Sequence, residues 1–383
     1  MHPIPVLLMS ELLAEGGTER QLVETARTLD RDRFAPHVAT LKGGFREEEL
    51  AAANVPVFNL HLKSFASFDA VKAGLKLRSY IRQHQIQVFH SFDYSTSCFG
   101  LPFARLAATP VVLSSTRGHR KLFSPFYQRL LRLTDPLAHG VVVNCEAMRQ
   151  HLIQDENISP EKIYCCPNGI DLNKFNVAHR SRAANLPAAL KDASLIIGTI
   201  CVLREEKGLP TLLESFARIL TGHPGVRLAI VGSGVLLQAL QTQAAQLGIT
   251  NQCHFEPVTR EVASWLGSID IFVLPSLSEA FSNALMEAMA CGCAVVASNT
   301  GGNPELVSDH QTGLLFQPGN SESLTMCLEQ LVSQPEIRLQ LATNGSNYVA
   351  EKLSVQTAAR RMGEIYTQML SPNAFPKCFH KIR

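Results

Sequence analysis

The sequence lacks the usual marks of a nucleic-acid-binding, exported or membrane-spanning protein. Its 383 residues carry a formal net charge of only +2, so electrostatics give no reason to expect nucleic acid as a partner. No apolar run reaches the ~20 residues that a membrane-spanning helix needs. The N-terminal sequence "MHPIPVLLMSELLAEGG" has no basic segment before its short apolar run, so we expect no signal peptide.

Metal-binding cysteine spacing is also missing. Of the ten cysteines, no two form a C-x-x-C pair, and Cys165–Cys166 and Cys291–Cys293 lie too close together for two ligands of one zinc ion. Most of the cysteines lie in apolar runs, where the side chain acts as a small hydrophobic group. A reducing cytoplasm suits this composition, so we expect a cytoplasmic protein.

The sequence does contain a repeated alternation of short apolar runs with longer amphipathic stretches. Continuous apolar strands that alternate with helices indicate parallel sheets covered on both faces. Each half of the chain has about enough strands for one doubly wound domain, so we predict an α/β protein. The runs occupy residues 4–9, 37–41, 55–60, 86–90, 110–115, 140–144 and 162–166, then 194–201, 226–232, 253–255, 269–275, 294–298 and 313–316.

A polar, alanine-rich segment at 172–193 has no strand signal and separates the two halves. We predict an N-terminal domain at 1–180, a second domain at 190–353, and a helix at 354–370 that packs back on the first domain. The basic tail after this helix is expected to be loosely ordered. Two open sheets in one chain predict a ligand cleft that faces the C-terminal ends of the strands.

The segment "LSEAFSNALMEAMACG" holds two glutamates, Glu279 and Glu287, in an apolar setting. Glu279 follows a predicted strand, and a predicted helix runs from about Ser282 to Cys291, with Gly292 closing it. The N–H groups at the start of such a helix form an anion site, and an ionised Glu accepts hydroxyl groups. Alternatively, Glu279 is a charge favoured by the helix dipole and Glu287 lies on a solvated face.

Three other loops contain candidate site residues. Gly16 and Gly17 follow the first strand region, where glycine lets backbone N–H groups approach a phosphate, although a plain turn is the alternative. Lys207 begins a helix whose dipole is already positive there, which favours an anionic ligand over a structural role. His119 follows the strand at 110–115, although a lone histidine is more often structural.

These motifs, in this order and spacing, resemble the retaining GT-B-fold glycosyltransferases of family four. The resemblance implies two Rossmann-like domains that face a central cleft. It also implies sugar transfer from a UDP- or GDP-linked donor to a glycan, a lipid-linked or a small-molecule acceptor. The motifs are "EGGTERQLVETARTL", "STRGH", "NGID", "EKGLPTLLESF", "VGSGVL", "EAFSNALMEAMACG", "GGNPELV" and "TGLLFQPGN".

The resemblance also implies roles for single residues of the second half. Glu279 would contact the sugar hydroxyls of the donor and Glu287 its ribose hydroxyls. The backbone amides of Phe281, Ser282 and Asn283 would face the diphosphate.

The remaining roles concern charge and the transferred sugar. Lys207 would neutralise the diphosphate, and His119 would contact the transferred sugar. We expect no metal and no cofactor beyond the donor. Family members usually carry an arginine where this chain has Val202, so we expect Arg204 to take its place. Two further departures from the family pattern are Ala280 and Ala294, at positions where glycine and proline are common.

Several residues leave their alternatives open. Arg117 and Arg120 could serve an anionic acceptor or solvate a loop. Asn168–Gly169 has the chemistry of a tight turn at a hinge, and Glu305 is either a helix-start charge or a donor contact. The segment 119–132, with Arg120, Lys121, Arg129 and Arg132 among aromatic and leucine side chains, is either an ordinary surface helix or an amphipathic helix on an anionic inner membrane face.

Two other functions compete with sugar transfer. A nicotinamide-dependent dehydrogenase would use "VGSGVL" and Glu256, but Leu237 stands where a small third residue is needed. A two-lobed solute-binding protein would share the cleft but should be exported.

Overall fold

The computed structural model describes residues 2–14, 16–62, 65, 68–120, 123–180 and 186–371. The chain forms two compact units. The first comprises Met1–Gly169 together with the chain from Val355 onward, and the second is Ile170–Ser354. The second unit is therefore inserted between two parts of the first.

The observed boundary after Gly169 lies earlier than the predicted one at 180. Ile170 forms a parallel bridge with Ser354, and Arg180 makes an ion pair of 2.8 Å with Asp270. Residues 170–180 are therefore attached to the second unit at both ends. Asn168 and Gly169 do not form the tight turn that we expected, because the chain passes through both without a turn.

The first unit contains a seven-stranded parallel sheet in the order β3-β2-β1-β4-β5-β6-β7. Each strand overlaps one of the predicted apolar runs, because parallel strands covered on both faces are apolar throughout. The strands are β1 (Ile4–Ser10), β2 (Phe34–Thr40), β3 (Val57–Asn59), β4 (Val88–Ser91), β5 (Val111–Thr116), β6 (Gly140–Val143) and β7 (Ile163–Cys165).

Helices cover both faces of this sheet. Because crossover connections are right-handed, α1 and α2 lie on one face and α3 to α6 on the other. The last helix, α15, packs against α1 and adds Met362, Ile365 and Tyr366 to the core on that face. The helices are α1 (Gly17–Thr28), α2 (Glu47–Ala52), α3 (Phe68–Gln83), α4 (Tyr94–Leu106), α5 (Pro125–Thr134), α6 (Glu146–Gln154) and, at the far end of the chain, α15 (Val355–Leu370).

The second unit contains a six-stranded parallel sheet in the order β10-β9-β8-β11-β12-β13. Its strands are β8 (Leu195–Ile200), β9 (Val226–Val231), β10 (Cys253–Glu256), β11 (Ile271–Leu274), β12 (Ala294–Ser298) and β13 (Leu314–Phe316). Its helices are α7 (Ala188–Lys191), α8 (Leu209–Leu220), α9 (Leu237–Gln246), α10 (Val262–Ser268), α11 (Asn283–Ala290), α12 (Asn303–Leu306), α13 (Ser321–Ser333) and α14 (Pro335–Lys352).

Both sheets reverse their direction of growth at one point. In the first unit β1 and β4 are neighbours, and in the second β8 and β11 are neighbours. At such a switch point the following loops leave to opposite sides and open a crevice at the carboxyl ends of the strands. The predicted α/β class with two Rossmann-like doubly wound units is confirmed.

Within the described ranges, no helix has both the length and the apolar character that crossing a membrane would require.

Candidate functional site

The switch point of the second sheet brings two of the predicted site residues into contact. Lys207 ends a short 3-10 turn that follows β8, and Glu279 lies in the loop between β11 and α11. The Nζ atom of Lys207 donates a hydrogen bond of 2.7 Å to Oε2 of Glu279. Only 22% and 14% of the two side chains are exposed, so this is a largely buried ion pair.

Two glycines fix the loop that contains Glu279. Gly208 has φ +63°, and a Cβ there would lie 2.1 Å from the carbonyl oxygen of Pro275. Gly301 has φ +54°, and a Cβ there would lie 1.7 Å from the carbonyl oxygen of Glu279. Both positions therefore need glycine for backbone conformation and for space. The Gly302 N–H also donates to the Ala280 carbonyl at 2.7 Å.

Two serines add a second layer of support behind the carboxylate. The hydroxyl of Ser276 donates to Oε2 of Glu279 at 3.2 Å, the same oxygen that accepts from Lys207. The hydroxyl of Ser298, at the end of β12, donates to the Ser276 carbonyl at 2.6 Å. The loop is thus tied to a third strand, and the Glu279 carboxylate is positioned before any ligand arrives.

Glu279 stabilises the charged form of Lys207. Burial disfavours the charged form of Lys207, but the attraction and hydrogen bond of Glu279 outweigh burial and raise the pKa of the Lys207 ammonium. Lys207 is therefore a cation at neutral pH, and its present partner is a side chain rather than a backbone carbonyl. An anionic ligand can compete for this cation.

Helix α11 begins beside this pair. Ser282 is its N-cap, and the Ser282 hydroxyl accepts a hydrogen bond of 3.3 Å from the Leu285 N–H. Asn283 is therefore the first helical residue, one later than predicted, and Phe281 precedes the N-cap. The role of these three residues toward a diphosphate stays a prediction. The helix ends as expected before Gly292, whose φ is +75°.

Glu287 lies just over one turn into α11. It is only 4% exposed, so the alternative of a solvated face is wrong. A carboxylate is rarely buried without a purpose or a partner. Its assignment to ribose hydroxyls stays a prediction.

Arg204 lies in the loop between β8 and the 3-10 turn. Its guanidinium is 3.9 Å from Glu206, and 64% of its side chain is exposed. A contact of this length and exposure contributes about 0–1 kcal/mol at most. Arg204 is therefore able to turn toward a ligand, whereas Val202, itself half exposed, offers no charge.

The predicted site glycines Gly16 and Gly17 and the predicted site histidine His119 lie in ordinary structural settings in the first unit. Gly16 is the N-cap of α1 with φ −63° and ψ 156°, and Gly17 is the first residue of that helix. The ring of His119 packs edge-to-face on His151 at 4.7 Å, and Nδ1 of His151 is 2.5 Å from Asp155. The roles of Gly16, Gly17 and His119 toward a ligand stay predictions.

The two arginines beside His119 do not solvate a loop. Arg120 is 4% exposed and makes hydrogen bonds of 2.5 and 3.1 Å to Asp135, so it is committed to a buried ion pair. Arg117 donates to Asn168 at 2.7 Å and lies over the Phe92 ring at 4.8 Å. Burial lowers the pKa of Arg117 to about 10.

Sequence reasoning missed the contacts that hold the Asn168 segment. The side-chain amide of Gln21 donates to the Gly169 carbonyl at 2.8 Å and accepts from the Gly169 N–H at 2.9 Å. Residues 168–169 are therefore held in place by hydrogen bonds where this part of the first unit ends. Glu305 is exposed within α12, as a helix-start charge would be.

The expectation that no metal is needed must be checked against Asp-x-Asp motifs, because a metal ion bound by such a pair could bridge the diphosphate. An Asp-x-Asp does occur, at Asp30 and Asp32, but it precedes β2 at the N-terminal edge of the first sheet, and Asp30 accepts from the Asp32 N–H at 3.0 Å. Within the described ranges, no three His, Cys, Asp or Glu side chains are grouped so that they could hold a metal ion.

The glycines of "VGSGVL" have a packing explanation. A Cβ at Gly232 would lie 1.9 Å from the Cys201 carbonyl, and one at Gly234 would lie 2.3 Å from the Leu203 carbonyl. Because these glycines have no side chain, the loop that follows β8 can pack against them. This loop leads to Lys207. Glu256, the acid that a dehydrogenase would use for ribose, is paired with His254 at 2.8 Å.

Two family models match the chain, one for each unit. The model "Glycosyltransferase Family 4" matches residues 15–174, and the model "Glycosyl transferases group 1" matches residues 186–348. The two matches lie side by side and together leave only short segments of the chain uncovered.

Curated relatives carry names of glycosyltransferases. A D-inositol 3-phosphate glycosyltransferase of Segniliparus rotundus is 30% identical over 202 residues, which are 51% of this chain and 45% of that protein. A Campylobacter jejuni protein is 28% identical over 231 residues, or 60% of each chain, and is named a diphospho-undecaprenol 4-alpha-N-acetylgalactosaminyltransferase. The chain spans about half the length of the curated relatives it matches.

Solved structures show the same fold at low identity. HepE of Anabaena, crystallised with UDP-glucose, has a TM-score of 0.82 and 20% identity over 95% of this chain and 100% of that one. Sucrose-phosphate synthase of Thermosynechococcus elongatus has a TM-score of 0.77 and 19% identity over 96% of this chain and 99% of that one. The class is therefore that of the GT-B α/β proteins. Within it, the chain belongs to glycosyltransferase family four, the group 1 glycosyl transferases.

Proposed function

We propose that this protein is a retaining, metal-independent glycosyltransferase that moves a sugar from a UDP- or GDP-linked donor to a saccharide, lipid-linked or small-molecule acceptor. The observation that carries the proposal is the Lys207–Glu279 ion pair at the second switch point, 2.7 Å long and beside the start of α11. Family membership supports sugar transfer over the two competing functions, a dehydrogenase and a solute-binding protein.

The chemistry follows from the charges. A departing nucleoside diphosphate carries at least two negative charges, and fixed cations stabilise such a leaving group. Lys207 supplies one cation and Arg204 a second, while the amides at the start of α11 add partial positive charge. As the diphosphate binds Lys207, the Glu279 carboxylate becomes available to accept hydrogen bonds from sugar hydroxyls.

Retention of configuration requires attack on the face that the leaving group departs from. In that geometry a diphosphate oxygen takes the proton of the acceptor hydroxyl, the new glycosidic bond forms as the sugar–phosphate bond breaks, and no separate base is needed. His119 would contact the transferred sugar. The names of the relatives support two acceptor classes, a phosphorylated polyol and a polyprenyl-diphosphate saccharide.

A nucleotide screen tests the donor class. Thermal unfolding should shift upward with UDP or GDP and their sugars, because a ligand present at 100 times its Kd stabilises the folded state by about 2.7 kcal/mol. The same shift in EDTA supports metal independence. Product analysis by NMR then decides between retention and inversion of the anomeric centre.

The matched variants are Lys207→Met and Lys191→Met, both in the second unit. Losing a charged hydrogen bond costs roughly 1.5–3 kcal/mol, so Lys207→Met should bind UDP or GDP ten- to a hundredfold more weakly. Lys191, exposed at the end of α7, should tolerate the change. Equal nucleotide affinity in both variants, or no shift with any nucleotide, contradicts the proposal.

A further inference from the structure

We propose that the outward faces of α3 and α5 form a docking surface for an anionic lipid bilayer. This α3/α5 surface consists of Phe68, Val71, Lys72, Leu75 and Lys76 on α3 and of Phe126, Arg129, Arg132 and Leu133 on α5. It lies in the first unit and is separate from the Lys207–Glu279 pair.

Helix α3 exposes an apolar stripe. Phe68, Val71 and Leu75 are 89%, 54% and 49% exposed, and their spacing of three and four residues places them on one face. Lys72 and Lys76 are exposed beside them. A water-facing helix surface normally carries polar side chains at such positions, so this stripe needs a covering partner.

Helix α5 repeats the pattern. Phe126 and Leu133 are 69% and 74% exposed and lie seven residues apart, two turns along one face, with Arg129 exposed on the same side. Arg132 is exposed at the edge of this face. The helix buries only Leu131 and Thr134. Of the apolar side chains of segment 119–132, Leu131 is buried, and Phe123 and Tyr127 pack against Tyr94. The helix therefore has a packed inner face, as an ordinary surface helix does, and Phe126 and Leu133 are apolar side chains outside that face.

The two helices belong to one layer of the first unit. Both follow right-handed crossovers that run in the same direction across the sheet, which places them on the same face. Both pack against α4, which lies between them. The Nε atom of Arg78 on α3 donates to the carbonyl of Leu106 at the end of α4 at 3.1 Å, and Leu106 adds a further apolar side chain that is 60% exposed.

Charge identifies the partner as an anionic surface. Helices α3 and α5 contain six basic residues and one acid, Asp69, whereas the whole chain has a net charge of only +2. The positive charge is therefore concentrated where the apolar side chains are exposed. Exposed aromatic and leucine side chains with Lys and Arg beside them are the composition of helices that lie in a membrane interface.

The surface differs from the segment that the sequence suggested. Arg120 is buried in its ion pair with Asp135 and does not face outward, and Lys121 lies outside the described residues. Tyr127 packs edge-to-face on Tyr94 at 5.0 Å. The exposed apolar side chains of α3, some fifty residues earlier in the chain, belong to the surface instead of these three residues.

Vesicle sedimentation tests the surface. The whole protein should bind vesicles of phosphatidylcholine and phosphatidylglycerol in equal parts, bind phosphatidylcholine vesicles weakly, and release in 0.5 M salt, because screening weakens attraction between exposed charges. The pairs Phe126→Ser with Leu133→Ser, and Phe68→Ser with Leu75→Ser, should each reduce binding at least tenfold. The control pair is Met326→Ser with Leu339→Ser in the second unit, whose side chains are 70% and 69% exposed.

The outcomes separate this proposal from the others. UDP affinity should be the same in all three double variants, so failure of the donor proposal would appear independently. Absence of binding to the anionic vesicles overturns the docking surface, as does equal loss in the control pair. A wild-type dimer that becomes monomeric in the Phe126→Ser, Leu133→Ser protein would assign the surface to a second copy of the chain and likewise overturn it.

Discussion

Each sheet has a carboxylate directly after the fourth of its strands in chain order, at the switch point, and these two carboxylates are held in different ways. Asp93, just after β4, accepts from the Ser10 hydroxyl at 3.0 Å and from the N–H groups of Glu11 at 2.7 Å and Thr96 at 2.8 Å. Glu279, after β11, accepts from the side chains of Lys207 and Ser276. The first carboxylate ties neighbouring loops together, whereas the second is held by groups that a ligand can take over.

The comparison teaches that position at a strand end does not by itself make a carboxylate functional. A carboxylate that satisfies backbone N–H groups cannot leave them without exposing unpaired buried donors. One that is paired with a flexible lysine can exchange that partner for hydroxyl groups at small cost. We therefore expect substitutions of Asp93 to affect folding, and substitutions of Glu279 to affect ligand binding.

Asp93→Ala should have the largest effect. It removes the N-cap of α4 and leaves the Glu11 N–H without its acceptor, so we expect a loss of about 3 kcal/mol in unfolding free energy. Urea unfolding with hydrogen exchange of the α4 amides measures it. Asp93→Asn keeps an acceptor and should recover about half of the loss. A loss in the alanine variant below that of a typical surface substitution would contradict a structural role.

Glu279→Gln should reverse this pattern. The amide oxygen still accepts from Lys207, so we expect unfolding to change by about 1 kcal/mol or less. Loss of a charged hydrogen bond to the donor sugar should lower kcat/KM ten- to a hundredfold, or roughly 1.5–3 kcal/mol. Transfer assays with the donor found in the nucleotide screen provide the measurement. Unchanged kcat/KM would remove Glu279 from the site.

Gly301→Ala tests whether the backbone behind Glu279 sets its position. The matched control is Gly248→Ala, which has φ +71° and no atom within 4 Å of the added Cβ, so it reports the backbone cost alone, about 1–2 kcal/mol. Gly301→Ala should cost more than this, because its Cβ meets the Glu279 carbonyl, and it should also weaken donor binding. If both variants bind the donor like wild type, the loop is adaptable and its preorganisation is not required.

Arg204→Ala should have a smaller effect on the second unit. Because the side chain is 64% exposed, we expect the affinity for UDP or GDP to fall by about 1.5 kcal/mol, the low end for a charged hydrogen bond. Arg204→Lys should recover only part, since lysine cannot grip phosphate oxygens at two points. Calorimetry measures both, and the melting of the ligand-free protein should stay nearly the same. If Arg204→Ala keeps the wild-type affinity, Arg204 does not replace the arginine that family members carry at the position of Val202.

A last prediction concerns the buried histidine of the first unit. His90 is fully buried, with Nδ1 2.8 Å from the Tyr366 hydroxyl and Nε2 2.9 Å from the Ser115 hydroxyl. Burial, with the Arg117 charge adding to it, holds the pKa of His90 well below 6.5. The unfolded chain therefore binds a proton that the folded chain excludes, and stability falls as pH drops below about 6.5, by up to about 1.4 kcal/mol per pH unit.

Urea unfolding at pH 7.5, 6.5 and 5.5 measures this dependence. His90→Asn should lower the slope of unfolding free energy against pH by the equivalent of up to one proton. His310→Asn, at an exposed site in the second unit, should leave the slope as it is. His37 and His139, whose pKa values burial lowers to about 4, add to the same dependence. A wild-type stability that is constant from pH 7.5 to 5.5 would contradict the prediction.

The sequence predicted the fold well because buried parallel strands are continuous apolar runs. All thirteen strands overlap predicted runs, and α11 begins within one residue of its predicted start at Ser282. The Lys207–Glu279 contact joins residues 72 positions apart, and no local pattern contains it. The signal that could have found it is the strand order, because β8 and β11 are the first and fourth strands of a doubly wound sheet and so meet at its switch point.

Burial of charge was the other feature that the sequence did not predict. Arg120 and Glu287 stand in segments whose neighbours permit either an exposed or a buried side chain. Their burial depends on partners from elsewhere in the chain, such as Asp135 for Arg120. A charged side chain is usually exposed, and nothing in the neighbouring sequence indicates that these two are buried.

The placement of α15 sets an order of events during protein synthesis. The second unit is complete once Ser354 has been made, whereas the first unit still lacks the helix that supplies Tyr366 to His90 and to the core around Phe34. Domains usually fold in the order in which they leave the ribosome. In this chain the N-terminal sheet emerges first but must wait with its α1 face uncovered, while the later-made insert can finish folding. A chain that ended before Val355 would therefore have a complete second unit joined to an unfinished first one.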